Sequence, residues 1–287
     1  LGRNHLNFNL SFTHFEYNRF SGEDLNQFSV DAFHGQTSIG FPDVREQFEQ
    51  DIVRVTMDLD IRLQILALSG TYGLLNRLDI GFLVPLVRAN LDVKSETRVE
   101  ESAGNTLFPN IHRFEGGPES PTDQVNGSTT GIGDIILRAK YHLLKRDWID
   151  IAGATLVQLG TADRDEFLGT GDSTIRPFLV FSRTFSDRFT PHLNVGYEFN
   201  LDRDPLSAFE YAVGFDYGNN KWTLAGELLS SHEPDGDGIG DNIVNTSWGI
   251  KWNPKSRWLL SLNTQIALND AGLRSTLVTM LGLEYGF

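Results

Sequence analysis

The sequence predicts an all-β protein, a single transmembrane antiparallel β-barrel of twelve strands occupying residues 1–287. Three observations predict it. Apolar and polar residues alternate with a period of two along the whole chain, which gives each strand one greasy face and one polar face. The connections between those strands alternate between short turns and longer polar stretches. The final segment, Leu281-Gly282-Leu283-Glu284-Tyr285-Gly286-Phe287, carries an apolar or aromatic side chain at every second position as far as Phe287. In a barrel of the Gram-negative outer membrane, Tyr285 and Phe287 would form the signal on the closing strand that the barrel assembly machinery reads. A soluble β-sandwich also alternates, but its outward face is polar. Here almost every strand has a strong apolar face, and aromatics such as Trp248, Trp252 and Trp258 cluster near strand ends.

Each element follows from this pattern. Leu6, Phe8, Leu10 and Phe12 interleave with polar residues to give the first strand. Val53, Val55, Met57, Leu59, Ile61, Leu63 and Ile65 alternate with Arg54, Thr56, Asp58, Asp60, Arg62 and Gln64. At about 3.3 Å per residue that run crosses a tilted bilayer path, and a helical period would scatter its charges over the apolar face. A strand near 77–94 follows, then strands over 135–141, 149–157, 175–181, 189–199, 209–217, 222–228, 244–252, 258–266 and 277–287, twelve in all. Short turns rich in Gly, Asn, Asp and Pro fall at 73–77, 145–147, 186–188, 218–220 and 253–256. Longer polar stretches fall at 18–50 and 97–130, the candidate lids or plugs, and shorter ones at 161–171, 202–207, 234–242 and 269–274. An even strand count places both termini on the short-turn, periplasmic side.

Composition excludes several classes. With 22% charged residues and a mean hydropathy of -0.24, no window approaches the roughly 20 apolar residues of a spanning helix. Spanning strands escape such a test because lipid-facing and lumen-facing residues average out. Twenty Phe, 5 Trp and 7 Tyr suffice for two aromatic girdles. Without Cys there is neither a disulfide framework nor a thiolate metal site. The net charge of -14 argues against a nucleic-acid partner. No signal peptide is visible, and Leu1-Gly2-Arg3-Asn4 reads as a mature or trimmed start.

Parity assigns the candidate lumen-lining residues: Arg54, Asp58, Asp60, Arg62, Asp134, Arg138, Lys140, Arg176, His192, Glu198, Glu227 and Lys251. Opposite charges on neighbouring strands would cross-link the wall, because an unpaired charge away from bulk water is costly. Pro85 interrupts the rhythm: Leu78, Ile80, Phe82 and Val84 share one parity, whereas Val87, Ala89, Leu91 and Val93 take the other. A β-bulge would produce such a slip, and with it a weak seam through which a hydrophobic solute could leave sideways. Asp235, Asp237 and Asp241, spaced by glycines, resemble a calcium loop without the terminal Glu of an EF-hand, so calcium is the one cofactor the sequence suggests. Divalent ions bridging lipopolysaccharide would use the same carboxylates. In Gly131-Ile132-Gly133-Asp134 the glycines open a strand tightly and Asp134 starts its polar face; no helix follows to make a phosphate loop.

Certain segments reach beyond barrel grammar. Residues 71–86 (Thr71-Tyr72-Gly73-Leu74-Leu75-Asn76-Arg77 into Leu78–Leu86), Gly131–Tyr141, Gly169-Thr170-Gly171-Asp172 and Asn194-Val195-Gly196-Tyr197 resemble the outer-membrane channel family named for the MetA pathway of phenol degradation. The resemblance runs from about residue 50 to the C-terminus. It departs at Leu159-Gly160-Thr161-Ala162-Asp163, where the family shows Pro-Thr-Gly, which leaves that loop's conformation open. The resemblance implies passage of small, often aromatic or hydrophobic, molecules across the outer membrane; with it the sequence reads as a monomeric channel for passive uptake, without enzymatic activity, whose partners are membrane lipid and lipopolysaccharide. The competing readings are a charge-selective hydrophilic porin and a barrel enzyme such as a lipase.

Overall fold

The computed structural model describes residues 2–33, 52–100, 121–203, 206–236, 238 and 240–287. In chain order the strands are β1 (Leu6–Tyr17), β2 (Arg19–Phe20), β3 (Glu23–Asp24), β4 (Phe28–Phe33), β5 (Ile52–Leu75), β6 (Leu78–Glu100), β7 (Thr122–Ile132), β8 (Ile135–Arg146) and β9 (Ile149–Leu159). They continue as β10 (Thr174–Ser182), β11 (Phe189–Asn200), β12 (Ala208–Gly218), β13 (Trp222–His232), β14 (Asn242–Lys255), β15 (Trp258–Ala267), β16 (Leu273–Arg274) and β17 (Leu277–Gly286). Twelve of these pair in the ring β5-β1-β17-β15-β14-β13-β12-β11-β10-β9-β8-β6, which the β5–β6 pairing closes. The fold is therefore the closed twelve-stranded antiparallel barrel that the alternation predicts. Closure removes both sheet edges, the condition for placing strands in lipid.

The chain falls into two compact units. The barrel unit comprises Leu1–Gly22, Arg62–Asn90 and Ser128–Phe287. The other comprises Glu23–Ile61 and Leu91–Gly127. Within it β4 pairs antiparallel with β5 from Phe28↔Met57 to Phe33↔Ile52. Arg54 donates to Asp31 on β4 and to Glu100 on β6, at 2.8 and 2.6 Å, and so ties three strands together. The stretches expected to be long lids thus contain β4, the end of β6 and β7; residues 34–51 and 101–120 lie outside the described residues.

In the barrel unit the first and last strands are neighbours, β1 on β17, with Phe8↔Tyr285 and Asn9↔Glu284 in register. Phe287 N–H donates to Leu6 carbonyl at 2.8 Å, and Asn4 N–H donates to Gly73 carbonyl at 2.9 Å. The chain ends and the short β5–β6 turn therefore lie at one end of the barrel. On the outer face Phe8, Leu10, Phe12, Leu66, Leu68, Ile80, Phe82, Leu179, Leu193, Leu224, Ile250, Leu262 and Leu281 are all exposed. Such an apolar surface exceeds what a water-soluble monomer presents. Stacked Trp222 and Trp252, 5.5 Å between ring centroids, belong to its aromatic girdle.

The closing strand is held by a ring cluster: Tyr285 lies 4.7 Å from Trp258 and 4.7 Å from Phe287, and Phe287 lies 6.1 Å from Phe8. Aromatic pairs contribute about 0.5–1.5 kcal/mol each. Tyr285→Ala removes two of them and is expected to lower barrel stability by about 1–3 kcal/mol, read from urea unfolding in lipid vesicles. An unchanged midpoint would mean that the cluster does not hold the closing strand.

Candidate functional site

The pairing registers fix which side chains face inward, because residues directly opposite on adjacent strands share a face. Ile175 and Leu179 are exposed on the outer belt, so Arg176, Phe178 and Val180 of β10 point inward. Register carries that face to Leu156, Ala154 and Ala152 of β9, and onward to Arg138, Lys140 and His142 of β8. In the other direction it reaches His192, Asn194 and Gly196 of β11, then Gly214, Ala212 and Glu210 of β12. From there it passes to Glu227 and Leu229 of β13, Asn245, Ser247 and Lys251 of β14, and Asn263 and Gln265 of β15.

This half of the inner wall is polar and internally paired. Arg176 donates to Glu210 and lies 3.9 Å from Glu198. His192 Nε2 lies 3.3 Å from Glu227, and Lys251 Nζ lies 3.5 Å from Asp216. Asn7 of β1 donates to Glu284 of β17 at 2.9 Å. Of these ion pairs only Arg176–Glu198 joins neighbouring strands, as alternating charge suggested; the other three each reach over an intervening strand.

A patch on β5 and β6 is apolar. Leu66 shares the outer groove with Leu10, Phe12, Ile250 and Trp252, so even-numbered residues of β5 face outward here and Leu63, Ile65 and Ala67 face inward. On β6, Ile80, Phe82 and Leu86 are exposed outside, whereas Leu83, Pro85, Val87 and Ala89 point inward, Val87 only 4% and Ala89 only 7% exposed. Leu83 is in register with Ile136 of β8, which extends the apolar surface by one more strand.

Residues 160–173 fold back onto this inner wall. Asp134, 8% exposed, accepts from Ala162 N–H at 3.0 Å, Thr170 N–H at 2.9 Å, Thr170 Oγ1 at 3.1 Å and Gly171 N–H at 3.2 Å. Inward-facing Gln158 donates to Thr170 Oγ1 at 2.9 Å and to Asp172 carbonyl at 3.2 Å. Asp172, fully buried, is gripped by Arg164 and Arg203 and accepts from Asn200 Nδ2 at 2.9 Å. Leu168, 7% exposed, packs where a Cβ on Gly133 would meet Pro85, Val87 and the Leu168 carbonyl at 2.9–3.1 Å. Only glycine leaves room for that approach. The Gly-Ile-Gly-Asp segment at 131–134 and the Gly-Thr-Gly-Asp segment at 169–172 are thus the two halves of one clasp.

The structure reassigns several predicted residues. Arg62 falls on the outward parity of Leu66 and Leu68, so the expected inside-outside sense of this strand is reversed. Arg54, Asp58 and Asp60, of the same parity, belong to the second unit. Asp134 faces inward but is covered by the clasped loop instead of lining open space. On β6 exposure alternates through Pro85 without a change of parity, and the register shift lies on the partner side: Leu83 pairs with Ile136, but Gly133 N–H donates to Pro85 carbonyl at 2.9 Å, which leaves one extra residue at Asp134–Ile135 opposite Val84. Asp241 Oδ2 accepts from Gly238 N–H at 2.7 Å, and Asp237 lies outside the described residues. Among the described residues no group of three or more potential ligands gathers for a metal ion. Asp172, Arg203, Gln158 and Leu168 escaped sequence reasoning; the shared Gly-x-Gly-Asp pattern was the available signal.

A family model described as "Putative MetA-pathway of phenol degradation" matches residues 27–274. No curated protein matches by sequence. Among solved structures, the COG4313 outer membrane channel from Pseudomonas putida F1 is similar at TM-score 0.58 and 13% identity, over 100% of this chain and 97% of that one. The KdgM porin is similar at TM-score 0.49 and 11% identity, over 83% and 99%. The toluene transporter TbuX from Ralstonia pickettii is similar at TM-score 0.49 and 12% identity, over 100% and 90%.

The clasp has a pH signature. Burial pushes the Asp172 carboxyl up, but hydrogen bonds from Arg203 and Asn200, with the charges of Arg203 and Arg164, outweigh it and hold the group below the usual aspartate value. A carboxylate with a depressed folded value favours the clasped loop fully above the ordinary pKa of about 3.9 and loses that effect as pH falls through the depressed value. Pepsin cleavage within 161–171 is therefore expected to stay slow down to about pH 4 and to rise below it. Asp172→Asn should accelerate cleavage roughly tenfold at pH 4, because hydrogen bonds to a charged group are the stronger ones. Equal cleavage of both proteins would show that Asp172 does not hold the loop.

Proposed function

The chain belongs to the MetA-pathway phenol-degradation family, matched over residues 27–274, and on that premise we propose an outer-membrane channel for passive uptake of small hydrophobic or aromatic molecules. The observation that carries this reading is an apolar patch on the inner wall: the half-buried Leu63, Ile65, Leu83 and Ile136, beside Ala67, Pro85, Val87 and Ala89, which the protein itself already buries. A water-filled pore has no use for such a surface, since exposing it to water costs about 25 cal/mol per Å². An apolar permeant that covers the four half-buried residues recovers that free energy, and the paired polar wall keeps the barrel cross-linked without presenting lone charges to the permeant.

The fold supports the location. A closed barrel with an exposed apolar belt and short turns at the end carrying both termini suits a Gram-negative outer membrane, with that end in the periplasm. No energy coupling enters this reading; flow follows the concentration that catabolism inside the cell maintains. A hydrophilic porin would instead give a high, ion-selective single-channel current.

Replacing Leu63 and Leu83 together by Gln interrupts the apolar track while keeping side-chain size. Uptake of naphthalene by cells expressing this variant is expected to fall about tenfold, as losing one or two buried apolar contacts implies. Permeation of arabinose should not change. Equal loss of both solutes, or no loss of naphthalene uptake, would overturn the hydrophobic-channel reading.

A further inference from the structure

The short turns at the end that carries both termini are basic, although the net charge of the protein is -14. Arg77 stands directly before β6, Arg188 before β11, Lys221 before β13 and Arg257 before β15, while Arg146 closes β8 ahead of the turn into β9. Four of these hold one structural position, in which the backbone carbonyl accepts from the next strand of the ring. His142 N–H donates to the Arg77 carbonyl at 2.8 Å, and Gly218, Asn253 and Gly286 donate to Arg188, Lys221 and Arg257 at 2.9 Å. The ladders end on these residues, which sets the four cations at one level of the rim. All five side chains are exposed, and among the described residues none pairs with a carboxylate. The flanks of the turns add Lys145, Arg183 and Lys255, against two acids, Asp147 and Asp187. The loops of the far end are the reverse: over 161–171, 202–207, 234–242 and 269–274 the sequence has nine acids and three arginines.

The aromatic belt lies one step further along the strands. Phe189, Trp222 and Trp258 directly follow Arg188, Lys221 and Arg257, and all three rings are exposed. A strand residue advances about 3.3 Å, so the charges sit just beyond the rings, on the side away from the apolar surface. Aromatic rings mark headgroup depth in a bilayer, and long basic side chains beside them reach the phosphates. A soluble partner would dock on one flank of the rim. These turns are instead spread round the ring, between β5 and β6, β8 and β9, β10 and β11, β12 and β13, and β14 and β15. A lipid leaflet is the partner with that shape.

We infer that the basic turns form a ring of headgroup sites that selects anionic phospholipid, such as phosphatidylglycerol, as the lipid bordering the barrel in the periplasmic leaflet. The inference rests on the outer-membrane reading above, which puts this end in the periplasm. The attraction of Lys and Arg to an anionic leaflet falls off within a Debye length. The cations therefore have to lie at headgroup level, where the step from the aromatic rings places them. The acidic loops at the other end would be repelled by the same lipid.

The test is quenching of tryptophan fluorescence by brominated lipid, which reports the lipid that borders the barrel. Brominated phosphatidylglycerol and brominated phosphatidylcholine are compared in vesicles containing both headgroups. The native protein is expected to favour phosphatidylglycerol about fivefold at low salt, the effect of one Lys or Arg at a charged leaflet. The preference should approach parity in about 1 M NaCl, where the Debye length is about 3 Å. Arg77→Gln, Arg188→Gln, Lys221→Gln and Arg257→Gln combined should remove it, whereas Arg77→Lys, Arg188→Lys and Arg257→Lys combined should keep it. Heat-modifiability on a gel confirms that each variant is folded, and the salt series on native protein decides the same point should the Gln variant not fold. Equal quenching of the native protein by both lipids, or a preference that survives the Gln variant or high salt, would overturn the ring of lipid sites. Retention of soluble polyglutamate by native barrels without a headgroup preference would overturn it in favour of an acidic protein. Absence of quenching by either lipid would overturn the membrane placement, and the channel reading with it.

Discussion

The obligation to satisfy every backbone N–H and C=O without water governs this structure. In hydrocarbon each unpaired group costs several kcal/mol, so a sheet that enters lipid has to close on itself. Here β17 pairs with β15 on one side and β1 on the other, and the β5–β6 contact completes the ring. Closure has a consequence beyond the backbone. A register slip of one residue would turn every side chain of a strand to the wrong face. Fixing the face of one strand therefore fixes the neighbours through continuous registers such as Thr174–Ser182 against Asp150–Gln158. The content of the lumen follows from the wall.

Within that wall two kinds of inner surface coexist. From β10 to β14, ion pairs each reach over an intervening strand, β10 to β12, β11 to β13 and β12 to β14, and they stiffen the barrel where no hydrophobic core exists to do so. At β5 and β6 small and branched apolar residues take over, and the loop at 160–173 closes over part of them through Leu168. The polar contacts that hold the loop are centred on Asp134 and Asp172. Dry contact below and a charge-assisted clasp above is an arrangement that can open locally without disturbing the ring, because no ladder hydrogen bond has to break.

Much of this was legible in the sequence. Strand number, short turns and the outer belt follow from period-two alternation, and the inward placement of Arg176, His192, Glu198 and Glu227 follows from the same parity. The clasp was legible only as two similar motifs, because hydrogen bonds between residues 134 and 170 depend on a loop path that local pattern does not encode. The strands β4 and β7 were hidden within polar stretches: Thr122–Ile132 carries few apolar residues and shows no strong alternation. Such a segment gains its strand form from pairing with a neighbour rather than from its own propensity.

The misassigned face of β5 and the apparent break at Pro85 have one cause. Alternation reveals which residues are apolar, and it identifies the outer face only where the inner face is polar. In β5 the apolar parity changes between Ile65 and Leu66, and Leu66 and Leu68 rather than Leu63 and Ile65 are the lipid-facing residues. In β6 it changes in the opposite sense, from exposed Phe82 to buried Val87. On β6 itself the backbone keeps its parity and only the chemistry of each face changes; the extra residue sits opposite, at Asp134–Ile135. The two crossovers lie on strands that pair with each other, so they mark a patch of inner wall that is itself apolar. A sequence whose apolar parity crosses over on two adjacent strands, while each strand keeps its own parity, therefore signals a greasy lumen, and that signal separates a channel for hydrophobic molecules from a water-filled pore.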